Sequence, residues 1–226
     1  MYVHKLSPEK IKALKEQIEG LSSQILLIAV SKRESAESIK IANEMGFKHF
    51  AESRLQEALT KQNSLKDLDL IWHFIGKLQT NKLKQILLNF SYIHSADSLE
   101  ILIKLNQLTE ELNLKTKNKI LLQVKLAVDD NKTGFSETDL LNSLTIINEL
   151  NNLNIIGLMT ILPFGLSQAE NYELFCKLKT LKEKINSKKL FNLNLTELSM
   201  GMSGDYPEAI KAGSTMLRLG RAIFLS

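Results

Sequence analysis

Eight short apolar runs, each followed by an amphipathic stretch of helical period, constrain this 226-residue chain more than any other feature. The runs predict strands at Ile25–Val30, His49–Glu52, Leu70–Ile75, Tyr92–Ser95, Lys119–Ala127, Ile155–Ile161, Glu197–Met200 and Thr215–Leu219. Helices are expected at Ala36–Met45, after the second strand through Lys61, at Leu78–Leu88, Ser98–Leu112, Glu137–Leu150, Gln168–Ile185 and Tyr206–Ala212, with Arg221–Phe224 closing the chain. Ser7-Pro8-Glu9 opens one more helix in front, ending near Gly20: a serine at the N-cap, a proline at the first helical position, then an acid. Strands that alternate with helices imply a parallel sheet. Eight such units in this length imply an α/β fold, a single (β/α)8 TIM barrel with an extra N-terminal helix. A doubly wound open sheet is the alternative; it would need no eighth strand, and the fourth and seventh strands carry the weakest signal. No Pro/Ser-rich linker or shift of composition divides the chain, and its prolines are only Pro8, Pro163 and Pro207. Residues 1–226 are therefore expected to form one domain.

Composition closes off several function classes. Hydrophobic residues make up 44% and charged residues 24%, which excludes a disordered chain. The single cysteine, Cys176, permits no intrachain disulfide and fits a reducing compartment. The run Ile25–Val30 is too short to cross a bilayer, which takes about 20 residues, and MYVHKLSPEK lacks a signal-peptide core. A cytoplasmic location without membrane partners is expected. The net charge of +4 raises nucleic-acid binding, but only Arg33, Arg54, Arg218 and Arg221 are arginines. The lysines are scattered among glutamates and leucines on helical stretches, which reads as a solvated surface, so no nucleic acid is expected as partner.

In a barrel of this kind the functional groups sit at the C-terminal ends of the strands, and phosphates often bind after strands seven and eight. Those positions hold Ser31-Lys32, Ser53-Arg54, His73-Phe74-Ile75-Gly76, the run Met200-Gly201-Met202-Ser203-Gly204-Asp205, and Leu219-Gly220-Arg221. The last two clusters have the composition of a phosphate cup: glycines that let backbone N–H groups approach an anion, and a Ser203 hydroxyl. Isolated turn glycines are the plainer reading of each one alone. Lys32 follows the most apolar strand of the first half. It is either a surface lysine capping that strand or an amine in the barrel mouth able to form Schiff bases. His73 and His94 at strand ends read as hydrogen-bonded scaffold, His4 and His49 as incidental, and Cys176 as core. No spacing suggests a metal centre, and neither GxGxxG nor GxxxxGK[ST] is present.

With these candidates in place, the sequence resembles the YggS/PROSC family, the pyridoxal 5′-phosphate (PLP) homeostasis proteins. The matching blocks run nearly the whole chain: Ala29-Val30-Ser31-Lys32, Trp72-His73-Phe74-Ile75-Gly76-Lys77-Leu78-Gln79-Thr80-Asn81-Lys82, Gly157-Leu158-Met159-Thr160, Leu198-Ser199-Met200-Gly201-Met202-Ser203 and Arg218-Leu219-Gly220-Arg221-Ala222-Ile223-Phe224. The resemblance implies a barrel like the N-terminal domain of alanine racemase, standing alone as a monomer, with PLP in Schiff-base linkage to Lys32. It implies that Ser203 and the backbone at Gly220 and Arg221 hold the phosphate, that Arg218 faces the pyridine nitrogen, and that Met202 lies close by. Ser53 and His73 complete the candidate cofactor-binding set. An arginine does not hand over its proton, so the ring would be a muted electron sink, which suits buffering or delivery of PLP to PLP-dependent apoenzymes rather than robust catalysis. The chain is too short for the second domain that racemases of this fold carry. A small PLP-dependent racemase or lyase is the alternative, with Tyr92 and Tyr206 as the tyrosines near strand ends. A cofactor-free Schiff-base aldolase stands third. Two departures are visible: Phe50-Ala51-Glu52-Ser53 stands where the family has Phe-Gly-Glu-Asn, and the chain ends Phe224-Leu225-Ser226 without the usual Phe-Gly-x-Arg. A slightly weaker or differently tilted cofactor is expected from the first.

Overall fold

A computed structural model describes residues 6–22, 24–114, 117–127 and 133–224. Its strands are β1 (Leu26–Val30), β2 (His49–Glu52), β3 (Ile71–Phe74), β4 (Tyr92–Ala96), β5 (Lys119–Gln123), β6 (Asn154–Met159), β7 (Glu197–Ser199) and β8 (Met216–Leu219). The helices are α1 (Pro8–Leu21), α2 (Ala36–Glu44), α3 (Leu55–Ser64), α4 (Leu83–Asn89), α5 (Leu99–Glu111), α6 (Glu137–Asn148), α7 (Gln168–Asn186), α8 (Tyr206–Lys211) and α9 (Arg221–Phe224). The strands are all parallel, and β8 pairs back onto β1 through Leu26↔Met216 to Ala29↔Leu219, which closes a barrel and excludes the open sheet.

Local chemistry explains the helix starts. Ser7, Ser35, Ser98, Ser136 and Ser167 each accept the backbone N–H three residues on, ahead of α1, α2, α5, α6 and α7. Ser167 and Glu170 form a reciprocal capping box. Each such cap stabilises its helix by about 1 kcal/mol.

Three segments depart most from expectation. The fifth strand stops at Gln123 rather than Ala127, because Phe135 folds back: its N–H donates to Gln123 O and its carbonyl accepts from Lys125 N–H. The helix expected over Leu78–Leu88 starts late. Leu78 is buried in the core, Gln79 is extended, and a 3-10 turn at Thr80–Lys82 precedes α4. The sixth strand is also offset, running Asn154–Met159 rather than Ile155–Ile161.

The core has two parts. The larger lies between the helices and the outer face of the barrel. The inner one includes Ile28, Val30, Ala51, Tyr92, Leu121, Met159 and Met216. The rest of the barrel interior is polar, with His73, His94, Ser199 and Arg218 all buried. The β7–β8 seam is thin, with Ser199↔Met216 as its register pair. It is fastened from the side by Ser214 Oγ, which donates to Met200 O at 2.7 Å, and by the Thr215 N–H to Leu198 O bond at 3.0 Å.

Candidate functional site

The mouth of the barrel collects the strand ends picked out in the sequence. Lys32 follows β1 and is exposed; its amine has no hydrogen-bond or ion-pair partner among the described residues. With Arg33, Ser53, Arg54 and Glu57 it lines a cleft of about 310 Å³. Arg33 beside it adopts φ 69°, in the left-handed region, and its N–H donates to Glu57 Oε1 at 2.7 Å. Ser53 is pinned by its neighbour strand: a Cβ on Gly76 would lie 2.0 Å from Ser53 O, so only glycine fits there.

Beneath Lys32 lies a charged cluster that sequence reasoning did not find. Lys61 on α3 is 7% exposed. Its amine donates to Ser31 O and Glu52 Oε1 at 2.8 Å and to Glu57 Oε1 at 2.6 Å. Glu52 also accepts from Ser31 Oγ at 2.8 Å, while its Oε2 is buried without a partner. Burial pushes the Glu52 carboxyl above the ordinary range, against the lowering influence of Lys61 and Ser31. The cluster ties the backbone immediately before Lys32 to β2 and α3. Glu57 and Lys61 are visible in the sequence as an i,i+4 pair, a pattern that ordinarily marks an exposed helix face.

After β7 the chain turns at Gly201, whose φ of 96° and crowding against Ala209 and Leu217 exclude a side chain. Asp205 closes the turn by accepting from Met202 N–H at 2.6 Å, and burial raises its carboxyl despite that bond. Ser203 Oγ accepts from Ala222 N–H at 3.1 Å, joining this loop to α9. The backbone N–H groups of Ser203, Gly204, Gly220 and Arg221 have no acceptor among the described residues. The β1–β8 pairing brings them to Lys32: a Cβ on Gly220 would touch Val30, two residues before it. Met202 is half-buried at this loop, whereas the Arg221 side chain points to solvent.

Arg218, from β8, is buried inside the barrel. Its Nη1 donates to Ser199 O and Oγ at 2.7 and 2.6 Å, and its Nη2 to Thr160 O at 2.8 Å. Three of the five guanidinium donors are thereby used; the Nε–H and one Nη2–H have no acceptor among the described residues. Burial lowers its pKa to about 10, partly opposed by Asp205, so it remains a cation at neutral pH. The framing residues Ser199 and Thr160 lie inside conspicuous sequence blocks, but nothing in those blocks marks them as supports.

The other candidates are placed as follows. His73 does not join the mouth: it is fully buried, with Nδ1 2.9 Å from His94 Nε2 and Nε2 2.9 Å from His49 Nδ1. His49 is not incidental, since it ends that series at the start of β2. Tyr92 stacks on His73 and takes a hydrogen bond from Lys119, at the opposite end of the barrel from Lys32. Tyr206 donates to Gln17 of α1 at 2.9 Å. Cys176 is half-buried on α7. His4 lies outside the described residues. Among the described residues no cluster could hold a metal ion, and no helix is long and apolar enough to cross a membrane.

Fold and site together define a class: (β/α)8 barrels that set one lysine after the first strand beside glycine-containing loops with unused backbone N–H groups after the last two. The chain belongs to the alanine racemase N-terminal domain family, whose model matches residues 9–226. Within that family it is 49% identical over 210 residues to the pyridoxal phosphate homeostasis protein of Synechocystis sp., covering 92% of this chain and 94% of that one. The protein of the same name from Pseudomonas aeruginosa is 38% identical over 198 residues, covering 88% and 83%. The structure of PipY from Synechococcus elongatus without PLP matches with a TM-score of 0.90 at 41% identity, covering 96% of this chain and 99% of that one. The structure of PipY with PLP bound gives 0.88 at 40% identity over the same shares. An alanine racemase from Clostridium difficile shares the fold, with a TM-score of 0.76 at 16% identity over 96% of this chain and 56% of the racemase.

Proposed function

We propose that this chain is a PLP-binding homeostasis protein that holds the cofactor at the barrel mouth and buffers or delivers it without robust catalysis. One observation carries the reading. An unpartnered lysine amine, two unused guanidinium donors and a set of unused backbone N–H groups converge on one mouth. PLP offers a complement to each: an aldehyde, a pyridine nitrogen and a phosphate. When bound, the cofactor supplies an aldehyde that condenses with amines.

The protein's part follows from its own groups. Lys32 provides the amine and the anchor. Ser203 and the backbone N–H groups of Gly220 and Arg221 hold the phosphate, as backbone donors at such loops do. Arg218, which keeps its proton, would donate to the pyridine nitrogen and leave it unprotonated. Met202 and Ser53, on loops at the same mouth, would contact the cofactor; His73 would act at a distance, through His94. The absence of robust turnover is supported by Tyr92 and Tyr206, which are engaged elsewhere than over Lys32. The reading extends to a single-domain monomer in the cytoplasm whose recipients are PLP-dependent apoenzymes.

The test is an absorbance spectrum of the purified protein with PLP, before and after borohydride, followed by peptide mapping. A visible band converted to a stable adduct on Lys32 is expected. No band, or an adduct on another lysine, overturns the reading. Steady turnover of an amino-acid panel would replace the carrier role with the racemase or lyase alternative.

A further inference from the structure

A line of hydrogen bonds crosses the barrel interior from the mouth to the opposite end. Arg218 Nη1 donates to Ser199 Oγ at 2.6 Å, and Ser199 Oγ lies 2.9 Å from His94 Nδ1. His94 Nε2 lies 2.9 Å from His73 Nδ1, and His73 Nε2 lies 2.9 Å from His49 Nδ1. Arg218, Ser199, His94 and His73 are buried, whereas His49, the first residue of β2, is half-buried.

The donor sense that leaves no buried donor in the line unpaired runs from the Arg218 end. A guanidinium can only donate. Ser199 Oγ accepts from it and donates its own proton to His94 Nδ1; the opposite sense, with His94 Nδ1–H donating to the second lone pair of Ser199, would leave that buried hydroxyl proton unpaired among the described residues. His94 Nδ1 is then bare, and a neutral ring carries its proton on Nε2. That proton points at His73 Nδ1, so His73 is also an Nε2–H ring. The same step makes His49 an Nε2–H ring, its free donor facing away from the column. Neutrality is what burial enforces. Desolvation holds His73 and His94 well below the ordinary imidazole range, with His94 further opposed by Arg218. His49 is lowered by burial first, then by Lys119 and Lys48. A charged ring would set two N–H groups face to face across a buried contact unless each bond between it and Ser199 reversed.

We propose that Ser199, His94, His73 and His49 form a one-way hydrogen-bond chain that positions the Arg218 guanidinium, so that a change at the far end of the barrel is felt at the cofactor site. The three histidines are positioning residues. The inference rests on the reading that PLP lies against Arg218, but the chain can be tested without PLP.

Imidazole ¹⁵N NMR on the full chain near pH 7, with no cofactor added, should show Nε2–H on all three rings. An Nδ1–H or doubly protonated ring at any of them overturns the chain. With PLP, His94→Leu should weaken binding about tenfold and shift the absorbance band of the loaded protein. His49→Asn keeps an acceptor near where Nδ1 stands and should preserve both the His73 tautomer and PLP affinity. His49→Leu should mix the His73 tautomers and weaken PLP binding. Identical behaviour of the two His49 variants overturns transmission from the far end. Failure of borohydride labelling at Lys32 would sink the cofactor reading and leave the ring protons to decide the chain by themselves.

Discussion

Replacing Lys61 with methionine isolates the energetics of the buried cluster behind Lys32. The substitution keeps most of the side-chain volume and removes the amine. Glu52, fully buried, loses its cation and is left with Ser31 Oγ as its side-chain partner. Glu57 is a quarter exposed and keeps the Arg33 N–H, so it adds little. Breaking a buried ion pair by deleting one partner costs about 3–5 kcal/mol, because a charge remains uncompensated. The loss should depend on pH. Burial already raises the Glu52 carboxyl above its unfolded value of about 4.3. A carboxyl raised on folding contributes stability that is full below the unfolded value and is lost as pH rises through the folded one. Lys61 is the main influence holding that folded value down. Its removal raises the value further, so the deficit is larger at pH 8 than at pH 5. Urea unfolding at both pH values, with an unchanged m-value, measures it. The melting temperature at pH 8 should fall by roughly 10 °C, given about 2–4 °C per kcal/mol for a chain of this size. A loss under about 1 kcal/mol, or the same loss at both pH values, would refute the assignment of Lys61 as the compensating charge.

Three further outcomes are expected. Ser203→Ala should weaken PLP binding about tenfold while leaving the binding of pyridoxal, which has no phosphate, unchanged; fluorescence titration with both ligands separates the two. Lys32→Ala should abolish borohydride labelling with little effect on stability in urea, since the side chain is exposed and unpartnered. Gly201→Ala should destabilise the fold by about 2–4 kcal/mol in the same urea assay, because the new Cβ would sit 2.6 Å from Ala209 Cβ at a φ of 96°.

The eight strands and the closing of the barrel are legible in the sequence because each apolar run is short and each amphipathic stretch ends at a turn signal. Lys32, Ser203 and Gly220 can be singled out as candidates because strand ends of this fold are where function gathers, and the structure brings the loops that carry them to one mouth. The fifth strand is overread because Val124, Leu126 and Ala127 are apolar, and only the return of Phe135 reveals where the pairing ends. The late start of α4 escapes notice because Leu78 fits a helical stripe while its side chain is needed in the core. Lys61 and the histidine series are not legible for a different reason. Their partners lie 30 and 105 positions apart, for Lys61 with Ser31 and for His94 with Ser199, and no local period marks a pairing of that range. A buried lysine and a solvated one look alike until the far partner is placed.

The thin β7–β8 seam has a consequence for how the barrel opens. Elsewhere neighbouring strands are held by two or more successive register pairs; here the one register pair is flanked by the backbone bonds Thr215 N–H to Leu198 O, Met200 N–H to Met216 O and Arg218 N–H to Gly201 O, and Ser214 and the Arg218 guanidinium add side-chain fastenings. The short ladder is bridged by one guanidinium that bonds Ser199 O and Oγ, so the side-chain fastening is lost in one event. The amides flanking this join should therefore exchange with solvent together, as one cooperative opening whose frequency depends on Arg218. A ligand resting on that arginine would close the clasp, so occupancy of the mouth would be recorded as slowed exchange along β7 and β8.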